Sequence, residues 1–178
     1  FWATCCLLFS GSLRSAELLP GSALSWTPET TLMGRDIVLR KEKINGAWVS
    51  YLQLSVKVPK ETKNSKQKVV LIEVFEQKNA AAWFCPLRAF NSFLRVVHAG
   101  HLEPDLPVFR TSSGVGYCPR RFNEEVKLLL ASKLNYEAGG GISAHCFRAG
   151  IASTLARMGF SEETIAAQGR WSSACYNR

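Results

Sequence analysis

The sequence lacks the features that mark several common classes of protein. No segment approaches the ~18 consecutive apolar residues of a membrane-spanning helix, and no membrane partner is expected. The six cysteines, Cys5, Cys6, Cys85, Cys118, Cys146 and Cys175, contain no C-x-x-C pair and no zinc-type spacing. They read as reduced, mostly buried thiols of an intracellular protein. Histidine is scarce, with three residues, and His98 and His101 have no cysteine or carboxylate at ligand spacing; both are expected on the surface of a polar loop. There is no internal repeat and no long low-complexity linker. The apolar start, Phe1 to Phe9, has neither an initiator Met nor a basic leader region, so it reads as a core helix and the chain as a fragment.

What is present is a chain of 178 residues, 47% hydrophobic, which suffices for one globular core. Its net charge of +8 and pI near 9.4 point to a polyanionic partner.

The richest stretch runs from Ser143 to Tyr176. Ser143 suits an N-cap, Phe147, Ile151 and Leu155 recur at helical spacing, and Gly159 can close the helix in a left-handed turn. His145 and Arg148 stand three apart near the helix start, which predicts that they emerge side by side. An imidazole that moves protons and a guanidinium that grips an anion through two hydrogen bonds suit a phosphate. Such a pair is also common on a solvated edge, but Gly150, with Ala149, Ala152 and Ser153 around it, predicts a close approach that would offset the helix cost of glycine. Further on, Ser161 caps a second helix that Gly169 ends, and Arg170-Trp171-Ser172-Ser173 follow.

Upstream, the Phe1–Phe9 helix breaks at Ser10-Gly11-Ser12, and Leu13 to Leu19 forms a short helix stopped by Pro20-Gly21. Arg14 and Glu17 on it form either an ordinary intrahelical ion pair or a functional arginine with its supporting carboxylate. Asp36–Lys41, Ala47–Lys57 and Lys68–Phe75 alternate as strands, with Asn45-Gly46 as a two-residue turn, predicting a three-stranded antiparallel meander. The loop from Pro59 to Lys68 is the densest basic run, suited to a solvated tip, a lysine finger on a DNA backbone, or an import signal. Cys85-Pro86 opens a helix with Leu87, Phe90, Leu94 and Val97 inward. Pro119 to Leu134 forms another, with Phe122, Val126, Leu129 and Leu130 inward. Arg110, Arg120 and Arg121 cluster at its start, as phosphate contacts or as solubilising charge. Gly139-Gly140-Gly141 leads into the His145 helix and is no phosphate loop, since no G-K-S/T follows.

In order, these pieces are an arginine after Ser-Gly-Ser-Leu with a glutamate three later, a lysine-bearing hairpin, H-x-x-R on a late helix, and G-R-W-S-S. From Cys6 to Tyr176 the chain resembles the tyrosine recombinase, or phage integrase, superfamily. The G-R-W-S-S form looks most like recombinases of eukaryotic mobile elements of the DIRS and Crypton type. The resemblance implies a mainly α fold with a small three-stranded antiparallel sheet (α+β), here a catalytic domain over residues 1–178. The N-terminal DNA-clamping domain and the nucleophile region would lie outside it.

It also implies DNA cleavage and rejoining through a 3′-phosphotyrosyl intermediate, without cofactor or metal, in the nucleus. The partner would be double-stranded DNA, with a homo-tetramer on paired sites. Arg14 and Arg148 match the arginines on the non-bridging oxygens, His145 the acid/base residue, Glu17 the supporting acid, and Trp171 the His/Trp position against the scissile phosphate. The hairpin lysine matches Lys60 or Lys63, with Lys60 preferred and Lys57 behind both. Lys57, Lys63, Lys66 and Arg170 are the basic residues expected against the DNA. The family's tyrosine follows the His/Trp position at a distance that, from Trp171, falls just beyond Arg178. Tyr176, five residues after Trp171, comes about one helical turn too early and reads as a packing aromatic. The competing function is a catalytically inactive, domesticated DNA-binding module.

Overall fold

A computed structural model describes residues 1–58, 68–78, 82–134 and 142–171. The basic hairpin tip with Lys60, Lys63 and Lys66, the glycine run and Tyr176 lie outside the described residues.

The apolar N-terminal segment forms α1 (Trp2–Ser10), in which Ala3 through Leu8 are all buried. A helix apolar all round has no solvent face, and α1 accordingly packs against both α3 (Pro86–Val97) and α5 (His145–Arg157). It stops at Gly11, and Ser12 then takes a left-handed conformation (φ 48°). That turn reverses the chain into the single-turn helix α2 (Ser15–Leu18), whose N-cap is Arg14.

The meander forms as its alternation predicts: β1 (Ile37–Ile44), β2 (Ala47–Val58) and β3 (Lys68–Phe75), antiparallel in that order. Asn45 (φ 48°) and Gly46 (φ 81°) both adopt the positive φ that a tight two-residue hairpin demands. The register pairs Leu52 with Val74 and Leu54 with Ile72, so one face of the sheet is buried against the helices. The other face carries Gln53, Ser55 and Glu73 together with the exposed Val69 and Leu71.

The core joins Leu7, Leu8, Leu13 and Leu18 to the sheet and to Phe90, Phe109 and Phe122. α4 (Pro119–Leu134) contributes Phe122 and Val126 as expected, but Leu129 is exposed along with Leu128. The buried face of α4 is thus narrower than its apolar residues suggest. His98 corrects another expectation. It is the C-cap of α3 and is buried, and its ring nitrogen Nε2 meets the Val108 carbonyl at 2.8 Å, where it can donate. Its ring sits edge-on to Phe93, 5.0 Å between centroids. The loop after α3 folds back over its own helix end, which a polar sequence does not announce. His101 is exposed as expected.

Among the described residues, no helix is long and apolar enough to cross a membrane, and no group of three His, Cys, Asp or Glu side chains is placed to hold a metal ion.

Candidate functional site

The first part of the site is the α1–α2 turn. Glu17 is buried, and one of its carboxylate oxygens, Oε2, accepts the backbone N–H of Arg14 at 2.8 Å. The other, Oε1, accepts Arg14 Nη1 at 3.3 Å. The ion pair expected from the spacing is therefore real, and it has a third member. Arg170 Nη2 reaches Oε2 of the same carboxylate at 2.8 Å. Its guanidinium also donates to the carbonyls of Gly11 and Ser12, each at 3.1 Å. Arg170 was expected to face DNA, yet its guanidinium points into the fold. The left-handed conformation of Arg170 (φ 53°, ψ 43°) at the end of α6 (Glu162–Gly169) aims it there.

The second part is the seam between α5 and α6. Ala144 is the N-cap of α5, and its N–H is held by Asn123 Oδ1 of α4 at 2.8 Å. Ser143 stands one residue earlier than a formal cap, although its hydroxyl accepts the His145 N–H at 3.3 Å. His145 is exposed and Arg148 only 1% exposed, so the two are neighbours on the helix without sharing a surface. Three residues of helix leave an offset of about 60°, enough to turn Arg148 into the seam while His145 stays at the solvent edge. Arg148 Nη2 donates to the Gly169 carbonyl. The Arg148 guanidinium also lies over the Trp171 ring, 5.0 Å from its centroid.

Gly169 explains the seam's tightness. A Cβ there would stand 2.0 Å from the Trp171 ring. The glycine is the last residue of α6, as expected; the residue in the left-handed conformation is Arg170, and Gly169 is needed because the indole covers it. Gly150 was expected to mark the close approach, and it does not. A Cβ there would meet only Phe9, at an ordinary 3.5 Å.

Three consecutive residues therefore hold both arginines: Gly169 and Trp171 hold Arg148, and Arg170 holds the turn that carries Arg14. Lys57 lies elsewhere. Its ammonium is ion-paired with Asp36 and donates to the Thr31 carbonyl at 2.8 Å. Sequence reasoning missed the inward direction of Arg170, the Asn123 anchor and the Lys57–Asp36 pair. Asp36 three residues after Met33, whose N–H it accepts at 2.8 Å, was the one local signal for the last of these. Of the described cysteines, Cys5, Cys6 and Cys85 are buried as expected, whereas Cys146, beside His145, is exposed. Burial pushes the Cys5 thiol up to about 12 and the Cys6 thiol up to about 11.

No protein-family model matches the sequence, and no curated protein matches it. Among solved structures the chain is similar to the integrase of transposon Tn1549 in complex with transposon right end DNA. Identity is 14% and the TM-score 0.48, over 96% of this chain and 50% of that chain. A second structure of that integrase, in complex with circular intermediate DNA, gives 13% identity and a TM-score of 0.48 over 97% of this chain and 50% of that one. The chain spans about half the length of the structures it matches. Likeness at that level assigns no activity to it.

Proposed function

We propose that the chain is the catalytic domain of a tyrosine-type site-specific DNA recombinase, of the kind carried by eukaryotic mobile elements of DIRS or Crypton type. The observation that carries this reading is the Gly169-Arg170-Trp171 bracket, which holds Arg148 through the Gly169 carbonyl and the Arg14 turn through the Gly11 and Ser12 carbonyls and the Glu17 carboxylate. Binding a DNA backbone needs positive charge alone. Stabilising charge that develops on a reacting phosphate needs donors fixed in advance, and a bracket of this kind fixes them.

In this reading a tyrosine hydroxyl attacks phosphorus, the bond to the 5′-oxygen breaks, and a 3′-phosphotyrosyl link forms. His145, at the solvent edge, takes the tyrosine proton. A hairpin lysine, Lys60 ahead of Lys63, gives a proton to the departing 5′-oxygen. Lys57 is already paired with Asp36, which leaves the loop lysines ahead of it. Arg14 and Arg148 hold the non-bridging oxygens, Glu17 orients Arg14, and the Trp171 indole N–H supplies a further donor. The covalent link conserves the bond energy, so the exchange needs no ATP. The partner is double-stranded DNA in the nucleus, with four copies on paired sites and Lys63 and Lys66 on the backbone.

The test uses the parent reading frame and nicked duplexes that lose the 5′-hydroxyl strand and trap the covalent product. A DNA–protein adduct stable to denaturant is expected, reduced at least ~100-fold in Arg148→Ala, with DNA affinity nearly kept. If no adduct forms, and Arg148→Ala weakens binding no differently from the outlying Arg95→Ala, the chain is a non-enzymatic DNA-binding module.

A further inference from the structure

Arg170 stands immediately before Trp171, and a basic residue there would ordinarily be taken for a DNA contact. Its geometry gives it another role. A non-glycine residue in the left-handed region is strained, and the strain persists only where the surroundings hold it. Here the surroundings are three acceptors on one guanidinium: the carbonyls of Gly11 and Ser12 and the Glu17 carboxylate. Each belongs to the turn that presents Arg14. Ser12 is itself left-handed (φ 48°), so two strained residues from opposite ends of the sequence brace one another. Glu17 in turn holds Arg14 through both its backbone N–H and its guanidinium.

We infer that Arg170 is a positioning residue for Arg14, fixing the guanidinium that meets the phosphate, and is not itself a DNA contact. The inference rests on the recombinase reading for its functional half, while the brace can be measured without DNA. Lysine cannot replace arginine here. An ammonium directs its three donors from a single nitrogen, whereas Arg170 divides its acceptors between Nη1 and Nη2. Charge conservation and geometry therefore separate the two roles of this residue.

Two measurements on the full chain decide the matter. The first is amide hydrogen exchange at Arg14 in the free protein, by NMR, in wild type, Arg170→Lys and Arg170→Ala, with thermal unfolding confirming that each variant is folded. Exchange at least tenfold faster in both variants is expected. Unchanged exchange in the folded Arg170→Lys protein would overturn the inference, whatever DNA binding shows. The second is affinity for a duplex oligonucleotide across salt concentrations in Arg14→Ala, Arg170→Ala, Arg170→Lys and the double variant Arg14→Ala/Arg170→Ala. A positioning residue loses its effect once Arg14 is gone, so the double variant should match Arg14→Ala, and Arg170→Lys should be as weak as Arg170→Ala. Additive losses, with Arg170→Lys binding like wild type, would make Arg170 a DNA contact and overturn the inference. Faster exchange combined with no covalent adduct from the wild-type protein on the nicked duplex would support the brace while refuting the recombinase reading.

Discussion

Replacing Gly169 by alanine tests the seam, because two physical effects there have opposite signs. Gly169 ends α6 and is not among the residues at positive φ. Judged by helix propensity alone, alanine would stabilise the fold by up to about 1 kcal/mol. The seam reverses that sign. The new methyl would stand 2.0 Å from the nearest Trp171 ring atom, where ordinary contact needs about 3.5 Å, so the ring must withdraw by about 1.5 Å. Starting 5.0 Å from the Arg148 guanidinium, a ring that withdraws directly away from it would end near 6.5 Å, past the ~6 Å reach of a cation–π contact. Losing that contact costs about 1–2 kcal/mol, and overpacking a close seam costs about 1–3 kcal/mol. Set against the propensity gain, the net is a destabilisation of about 1–5 kcal/mol. For a domain of this size that lowers the Tm by roughly 2–20 °C. Gly150→Ala is the matched control, since its methyl meets only Phe9 at 3.5 Å. It should raise the Tm slightly. Calorimetry that found Gly169→Ala as stable as wild type, or more so, would refute the account of Trp171 covering Gly169.

Acidification should weaken the fold through His98. Burial holds its pKa below the ordinary 6.5, so the unfolded chain binds the extra proton first. Stability should rise with pH up to about 6.5 and level off above it, and His98→Gln should flatten that slope in urea titrations across this range. Asp36→Asn should cost about 3 kcal/mol in denaturant unfolding by leaving the Lys57 ammonium poorly matched in a site where its side chain is only 12% exposed. Adding Lys57→Met should recover part of that loss, and independent, additive losses would show that the pair is not coupled. Alkylation at pH 8 followed by peptide mapping should label Cys146 well before Cys5 and Cys6, whose thiols stay protonated and buried until the chain unfolds.

The sheet was legible because alternation and an Asn-Gly turn are local signals, and β3 begins and ends at the residues its pattern predicts. Pro119–Leu134 was legible for the same reason, through periodicity and an N-terminal proline. What escaped was decided across the chain. His98 is buried because the 106–109 segment returns to its helix end, and Arg170 turns inward because three acceptors wait at Gly11, Ser12 and Glu17. At Gly150 and Gly169 the rule that glycine marks close approach held for one and failed for the other, since the approaching group, Trp171 or Phe9, is set by tertiary packing. The site residues were named by motif order and the Arg14–Glu17 pair by its spacing, while the structure supplies the bonds from Arg170 to Gly11, Ser12 and Glu17 that no motif encodes.

The bonds from Arg170 to Gly11 and Ser12 join positions 159 and 158 residues apart. Closing a loop of that length costs on the order of 4 kcal/mol in chain entropy, so the site forms only after the intervening core has brought its two ends together. On the ribosome the Arg14 turn is made on the order of ten seconds before the residue that braces it. A chain interrupted before Gly169 would keep the sheet and most helices but would have neither the brace for Arg14 nor the carbonyl for Arg148. Under the recombinase reading, the capacity to cut DNA would therefore be among the last properties a newly made copy acquires.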